Sequence, residues 1–188
     1  MKSILVKNFG PISHADVEFG DLTIIVGAQA SGKSLFLELA KLLYDRKAIV
    51  ANLKRYNYIL GKKNTANLLD IYFGDGLHSL WKEGEEYSTS VSVDGRSWTS
   101  KITIPGEDAN TDETMFYMPA QRILSMPDGR PKSFSEFDPS CPYVLRQFSE
   151  TLRVFMGGGW GDGNNVLFPV GTRLKKYQRD SFDKTVFH

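Results

Sequence analysis

The sequence predicts an α/β fold with a smaller antiparallel part, and three observations carry that expectation. An unbroken apolar run at 22–26 leads into a glycine-rich turn and then into apolar residues at helical spacing. From 71 to 104 the period of the apolar residues changes to two. Between the run and the helix, Gly27, Ala28, Gln29, Ala30, Ser31, Gly32, Lys33 and Ser34 fit the pattern G-x-x-x-x-G-K-[ST] in the strand-to-helix context that the pattern requires.

Taken in order, residues 4–9 form a first strand, Gly10-Pro11 a turn, and Ala15, Val17 and Phe19 the alternating face of a half-buried second strand. The run 22–26, bounded by Asp21 and Gly27, predicts a central strand of a parallel sheet, covered on both faces. Phe36, Leu39, Ala40 and Leu43 repeat at i, i+3, i+4, i+7 and predict a helix over 33–45 with one face on the sheet. The basic stretch 46–67, with Lys47, Lys54, Arg55, Lys62 and Lys63, reads as a solvated helix and loop rather than a polyanion patch.

Tyr87, Thr89, Val91 and Val93, then Asp94-Gly95, then Trp98, Ile102 and Ile104 predict an antiparallel hairpin, because Asp-Gly supplies the positive φ of a two-residue turn. It is expected as a lobe inserted between parallel strands. A short strand over 115–118 ends at Pro119, residues 127–142 are loop-rich, and 143–156 read as helix. The glycines around Trp160 and Asp162 fit no phosphate-binding register and read as a surface loop.

The octet carries the chemistry. Glycines let the chain turn tightly enough for successive N–H groups to face one point, and the positive end of the following helix adds to the field there. Lys33 would reach the β and γ phosphates of ATP, Ser34 would ligate Mg²⁺, and the amides of Gly32 and Lys33 would hold phosphate oxygens.

The N-terminal half resembles the ABC-type ATPases of the structural-maintenance-of-chromosomes, RecF and RecN group, and more closely the bacterial AAA family ATPases related to them. The resemblance rests on the opening segment 4–12, on the octet with the helix that follows, and on Tyr117, Met118, Pro119, Ala120, Gln121 and Arg122, similar to the group's Y-x-P-A-E-R segment. Gln29 and Ala30 stand where the group has Asn and Gly, and Gln121 where many relatives have Glu; phosphate binding survives these changes. By its position Gln121 looks like the Q-loop glutamine that senses Mg²⁺ and water, with a polar strand-end cap as the alternative.

The resemblance implies a P-loop NTPase of ABC/SMC type with an antiparallel β lobe, of which 1–188 would be the N-terminal lobe, the C-terminal half missing. Within it, 1–45 would hold the first strands, loop and helix, 71–104 the antiparallel insertion, and 115–188 the Q-loop-like strand and a helical region. The group's signature loop, Walker B strand and switch histidine find no counterpart; Leu68-Leu69-Asp70 is too short an apolar run and continues into Ile71. The resemblance implies a homodimer around ATP or a C-terminal partner lobe, and work in DNA maintenance or phage defence. A compact P-loop kinase and a non-hydrolysing, nucleotide-dependent interaction module are the competing readings.

Composition bounds the rest. With 23 Lys+Arg against 22 Asp+Glu, a net charge of +1 offers no basic surplus for DNA, although a local patch is permitted. A lone Cys141 and the lack of a leader or long apolar run predict a cytoplasmic protein with no membrane segment. His14, His78 and His188 are too scattered for metal-ligand spacing.

Overall fold

The computed structural model describes residues 2–60, 65–84, 87–98, 113–120 and 129–157. Strands β1 (Ser3–Phe9) and β2 (Ile12–Glu18) pair antiparallel, with Ile4 opposite Val17 and Phe9 opposite Ile12. Alternation along β1 buries Ile4 and Val6 and leaves Lys7 outside, and after Asn8, whose φ of 54° breaks the alternation, Phe9 is buried as well. At the turn Gly10 has φ +51°, a left-handed conformation that favours glycine, and a Cβ there would have to displace the tip of Leu80, 2.7 Å away at Cδ2.

The predicted hairpin is present as β3 (Ser90–Val93) and β4 (Arg96–Trp98). Asp94 (φ 49°) and Gly95 (φ 76°) both lie in the left-handed region, the conformation of a type I′ turn. The hairpin is not a lobe between parallel strands, however: β3 pairs antiparallel with β1, giving one four-stranded sheet in the order β2-β1-β3-β4. The turn also grips the start of β1, since Asp94 Oδ1 accepts the amides of Lys2 (2.6 Å) and Ser3 (2.9 Å).

Among the described residues, four α-helices complete the core. Helix α1 (Lys33–Tyr44) buries Phe36, Leu39, Ala40 and Leu43 as its spacing predicts. Helix α2 (Arg46–Arg55) is amphipathic: Ala48, Ile49, Val50 and Leu53 enter the core while Lys47, Lys54 and Arg55 stay exposed. Helix α3 (Thr65–Phe73) corrects the period-two reading from 71 onward, because Leu68, Leu69, Tyr72 and Phe73 are buried together on a helical face. It also places Leu68, Leu69 and Asp70 on a helix. Helix α4 (Tyr143–Gly157) lies where the pattern over 143–156 put it. Its Arg146 is fully buried, with the guanidinium 4.5 Å from the Phe134 ring centre and a 2.8 Å bond to the Ile71 carbonyl.

Two predicted strands are absent. Residues 22–26 run without regular secondary structure, and Leu22, Ile24 and Val26 are 81%, 74% and 84% exposed. An apolar run becomes a central strand only with neighbours on both edges, and both edges of β1 are taken by β2 and β3. Residues 115–118 are likewise irregular; side chains rather than a ladder hold them. Ile102, Ile104, residues 158–163 and His188 lie outside the described residues, and so does Gln121.

Candidate nucleotide site

The loop at 27–34 is positioned from below by the β1–β2 turn. Gly32 has φ +89°, and a Cβ on it would fall 2.8 Å from Ile12 Cγ1 and 3.1 Å from Pro11 Cγ, so the loop is seated directly on that turn. Gly32 also begins α1, its carbonyl accepting the Phe36 amide at 2.8 Å. No side chain caps this helix, which leaves the amides of its first turn available to an anion.

Lys33 folds back over the loop. Its Nζ donates to the carbonyls of Gly27 (2.9 Å) and Ala28 (2.5 Å) and to Ser31 Oγ (3.2 Å). Ala30, at φ 61°, takes the left-handed conformation within this loop. Lys33 and Ser34 line a cavity of about 380 Å³ together with Phe19, Gly20, Thr23, Ile25 and Leu37. Thus five loop residues, Gly27, Ala28, Ser31, Lys33 and Ser34, meet at or beside the start of α1, while Gln29 and Ala30 form its exposed tip.

This donor set fits a nucleotide triphosphate with Mg²⁺: uncapped helical amides and an ammonium for phosphate oxygens, and a hydroxyl at Ser34 for the cation. Among the described residues, none that lines the cavity is a carboxylate.

One helical turn beyond Ser34 stands a residue that pattern reading passes over. Glu38 is largely buried, and its carboxylate accepts a 3.3 Å bond from the Tyr117 hydroxyl. Burial pushes its pKa up to about 7, against a smaller downward pull from Tyr117. Burial together with Glu38 holds the Tyr117 hydroxyl well above the ordinary phenol range. Tyr72 donates to the Glu38 backbone carbonyl at 2.8 Å. The only trace in the sequence is a carboxylate beside the apolar stripe of α1.

A second cluster ties residues 113–115 to the far end of α1. Lys41 Nζ donates to Glu113 Oε2 (2.5 Å) and the Met115 carbonyl (2.6 Å) and lies 3.3 Å from Asp45 Oδ2. Asp45 in turn accepts from the Thr114 amide (3.0 Å), the Thr114 hydroxyl (2.7 Å) and the Met115 amide (2.7 Å). Glu113 also accepts from Asn52 and from the Tyr143 hydroxyl. Lys41 and Asp45 are 2% and 5% exposed, so this is a buried and fully partnered ion pair. Sequence spacing shows only the i,i+4 charge pair on α1.

A glycine-rich loop delivering lysine and serine to an uncapped helix start puts the chain in the nucleotide-binding, ATPase-like class. The family comparison agrees: the chain belongs to the AAA ATPase domain family, whose model matches residues 1–114. Membership suggests a P-loop fold and implies ATP, usually with Mg²⁺. No curated protein and no solved structure matches the chain. No helix among the described residues is long and apolar enough to cross a membrane.

Proposed function

We propose that this chain is the ATP-binding lobe of an ABC/SMC-like P-loop ATPase, the RecF- and RecN-related group included, and that the loop at 27–34 is its phosphate cradle. The observation that carries the reading is the convergence of Lys33 and Ser34 on one cavity at the uncapped start of α1. Lys33 would exchange the Gly27 and Ala28 carbonyls for β and γ phosphate oxygens, and Ser34 would hold Mg²⁺ between them. Bound Mg²⁺ would neutralise charge developing on the transferred phosphoryl group.

The Q-loop reading of Gln121 rests on the resemblance of residues 117–122 to the group's Y-x-P-A-E-R segment.

Exposure of Leu22, Ile24 and Val26 supports a further lobe, from a partner or a second copy, that covers this segment and supplies an acidic group, of which the described residues lining the cavity have none. A role in DNA maintenance or phage defence, in the cytoplasm, is the biological setting that goes with this group. Titrating the chain with ATP·Mg²⁺, and following turnover with and without a candidate partner lobe, tests the reading. Binding without turnover, restored to turnover by the partner, is the expected result. Turnover by the pure monomer that is lost in Lys33→Ala would instead favour the compact-kinase reading.

A further inference from the structure

The cavity at the start of α1 joins two chemically different kinds of lining. Lys33 and Ser34 are its charged and hydroxyl groups, whereas Phe19, Ile25 and Leu37 face it with carbon. Each of these three reaches the cavity for a local reason. Phe19 follows directly on β2, and its amide donates to the Lys2 carbonyl at 2.7 Å, which holds the residue at the end of the sheet. The chain then turns, with Thr23 Oγ1 accepting the Gly20 amide at 3.1 Å, and brings Ile25 back to the same cavity. Leu37 stands one turn beyond Lys33 on α1, on the same side of the helix and about 6 Å along its axis. Phe19 and Ile25 are packed against the core, while Leu37 is 39% exposed, so the apolar wall is backed by the fold on one side and open on the other.

We infer that Phe19 is the platform on which the base of a bound nucleoside triphosphate stacks, with Ile25 and Leu37 as its apolar surround. The inference rests on the phosphate-cradle reading above and adds to it the part of the ligand that the cradle does not touch. A triphosphate needs donors and a cation, and Lys33 with Ser34 meets that need for an inorganic phosphate as well as for a nucleotide. Three apolar side chains in the same cavity do nothing for phosphate oxygens. They suit a flat group with an apolar face carried by the same molecule, and a nucleobase is such a group. The backbone bond at Phe19 fixes the ring's attachment to the sheet before any ligand arrives, so little ordering is left for binding to supply. Stacking reads the face of a base and not its edge, and every base has such a face. The ligand class that this platform fits is therefore nucleoside triphosphates, with ATP and GTP bound comparably.

The test compares ATP, GTP and tripolyphosphate, each with Mg²⁺, as ligands of the full 188-residue chain and its variants by isothermal titration. Phe19→Leu keeps an apolar side chain against the core and removes the ring. It should weaken ATP and GTP about tenfold and leave tripolyphosphate unchanged. Phe19→Tyr keeps the ring and should hold the wild-type ratio of ATP to tripolyphosphate affinity. Because each variant is judged by a ratio of its own affinities, a smaller folded fraction does not mimic the effect. A merely structural phenylalanine would lower all three affinities together or none of them. An unchanged ratio in Phe19→Leu, a Phe19→Tyr ratio as low as that of Phe19→Leu, or GTP bound more than about a hundredfold more weakly than ATP by wild type, the mark of a site that reads the base edge, overturns the platform. In each of those cases the cradle stands as long as Lys33→Ala abolishes binding. If wild type binds none of the three ligands, the cradle falls and the platform with it.

Discussion

The Lys33 ammonium is bonded to the carbonyl of Gly27, six residues earlier, at 2.9 Å, so the loop at 27–34 is closed by its own lysine. A lysine that stands over carbonyls rather than in the core can be removed without loss of packing.

Lys33→Ala is accordingly expected to abolish ATP·Mg²⁺ binding and to leave the thermal midpoint within a few degrees of wild type. Ser34→Ala should weaken the dependence on Mg²⁺ more than the binding of phosphate itself. Isothermal titration with and without Mg²⁺ separates the two effects, and unchanged affinity in the lysine variant would remove the assignment of this loop.

Gly32→Ala should damage the same site by a different route. Its Cβ would enter the space of Ile12 and Pro11, and alanine is strained at φ +89°. A loss of about 2 kcal/mol in chemical denaturation, with ATP affinity reduced in parallel, is the expected signature. A variant as stable as wild type would mean the loop is not seated on the β1–β2 turn.

Stability should fall with rising pH across the range set by Glu38. Its folded pKa of about 7 exceeds the ordinary glutamate value of 4.5, so between those two values the folded state holds more proton than the unfolded chain. Stability therefore declines from the lower to the upper value and levels off above it, by at most about 3 kcal/mol. Glu150 has its pKa lowered, chiefly by a hydrogen bond from Arg153, and acts in the opposite sense, losing its contribution only as the solution becomes more acidic. Urea midpoints at mildly acidic and mildly alkaline pH, compared between wild type and Glu38→Gln, decide the matter: the variant should show the smaller fall.

Asp45→Ala should be among the costliest single changes in the chain. It would strip Thr114 and Met115 of their acceptor and leave Lys41 buried with Glu113 as its one remaining carboxylate. A loss of about 3–5 kcal/mol is expected for breaking a buried pair, and proteolysis near residue 115 should accelerate. A loss below about 1 kcal/mol, the range of an exposed pair, would contradict this account.

The chain alone should hydrolyse ATP no faster than background. In-line attack by water needs a positioned acceptor and charge neutralised from both sides, and the cavity offers Lys33 and Ser34 on one side with no carboxylate among its described lining residues. A phosphate-release assay on the purified chain, with Lys33→Ala as the blank, checks it; appreciable lysine-dependent turnover would point to an acid elsewhere in the chain.

Where the apolar pattern and local turn chemistry act together, the sequence was readable. Phe36, Leu39, Ala40 and Leu43 mark the buried face of α1, and Asp94-Gly95 marks a turn that the backbone takes with positive φ at both residues. What failed was everything that depends on a neighbour. Leu22, Ile24 and Val26 have the composition of an interior strand, but composition cannot supply the flanking strands, and they lie exposed. Residues 115–118 look extended and apolar because they are a strap, held through Asp45 and Lys41 rather than through a ladder. Glu38 escaped notice because a single carboxylate on a helix has no periodicity; only the approach of Tyr117, 79 positions away, gives it meaning.

The grip of Asp94 on the amides of Lys2 and Ser3 joins groups up to 92 positions apart in the chain. During synthesis β1 and β2 emerge first and can form only a two-stranded ribbon, which is marginal by itself in water. The platform beneath Gly32 thus stays incomplete until β3 arrives, and that late, long-range pairing should set the pace of folding. Nucleotide added during translation would then have no seat to stabilise until about half of the chain has left the ribosome.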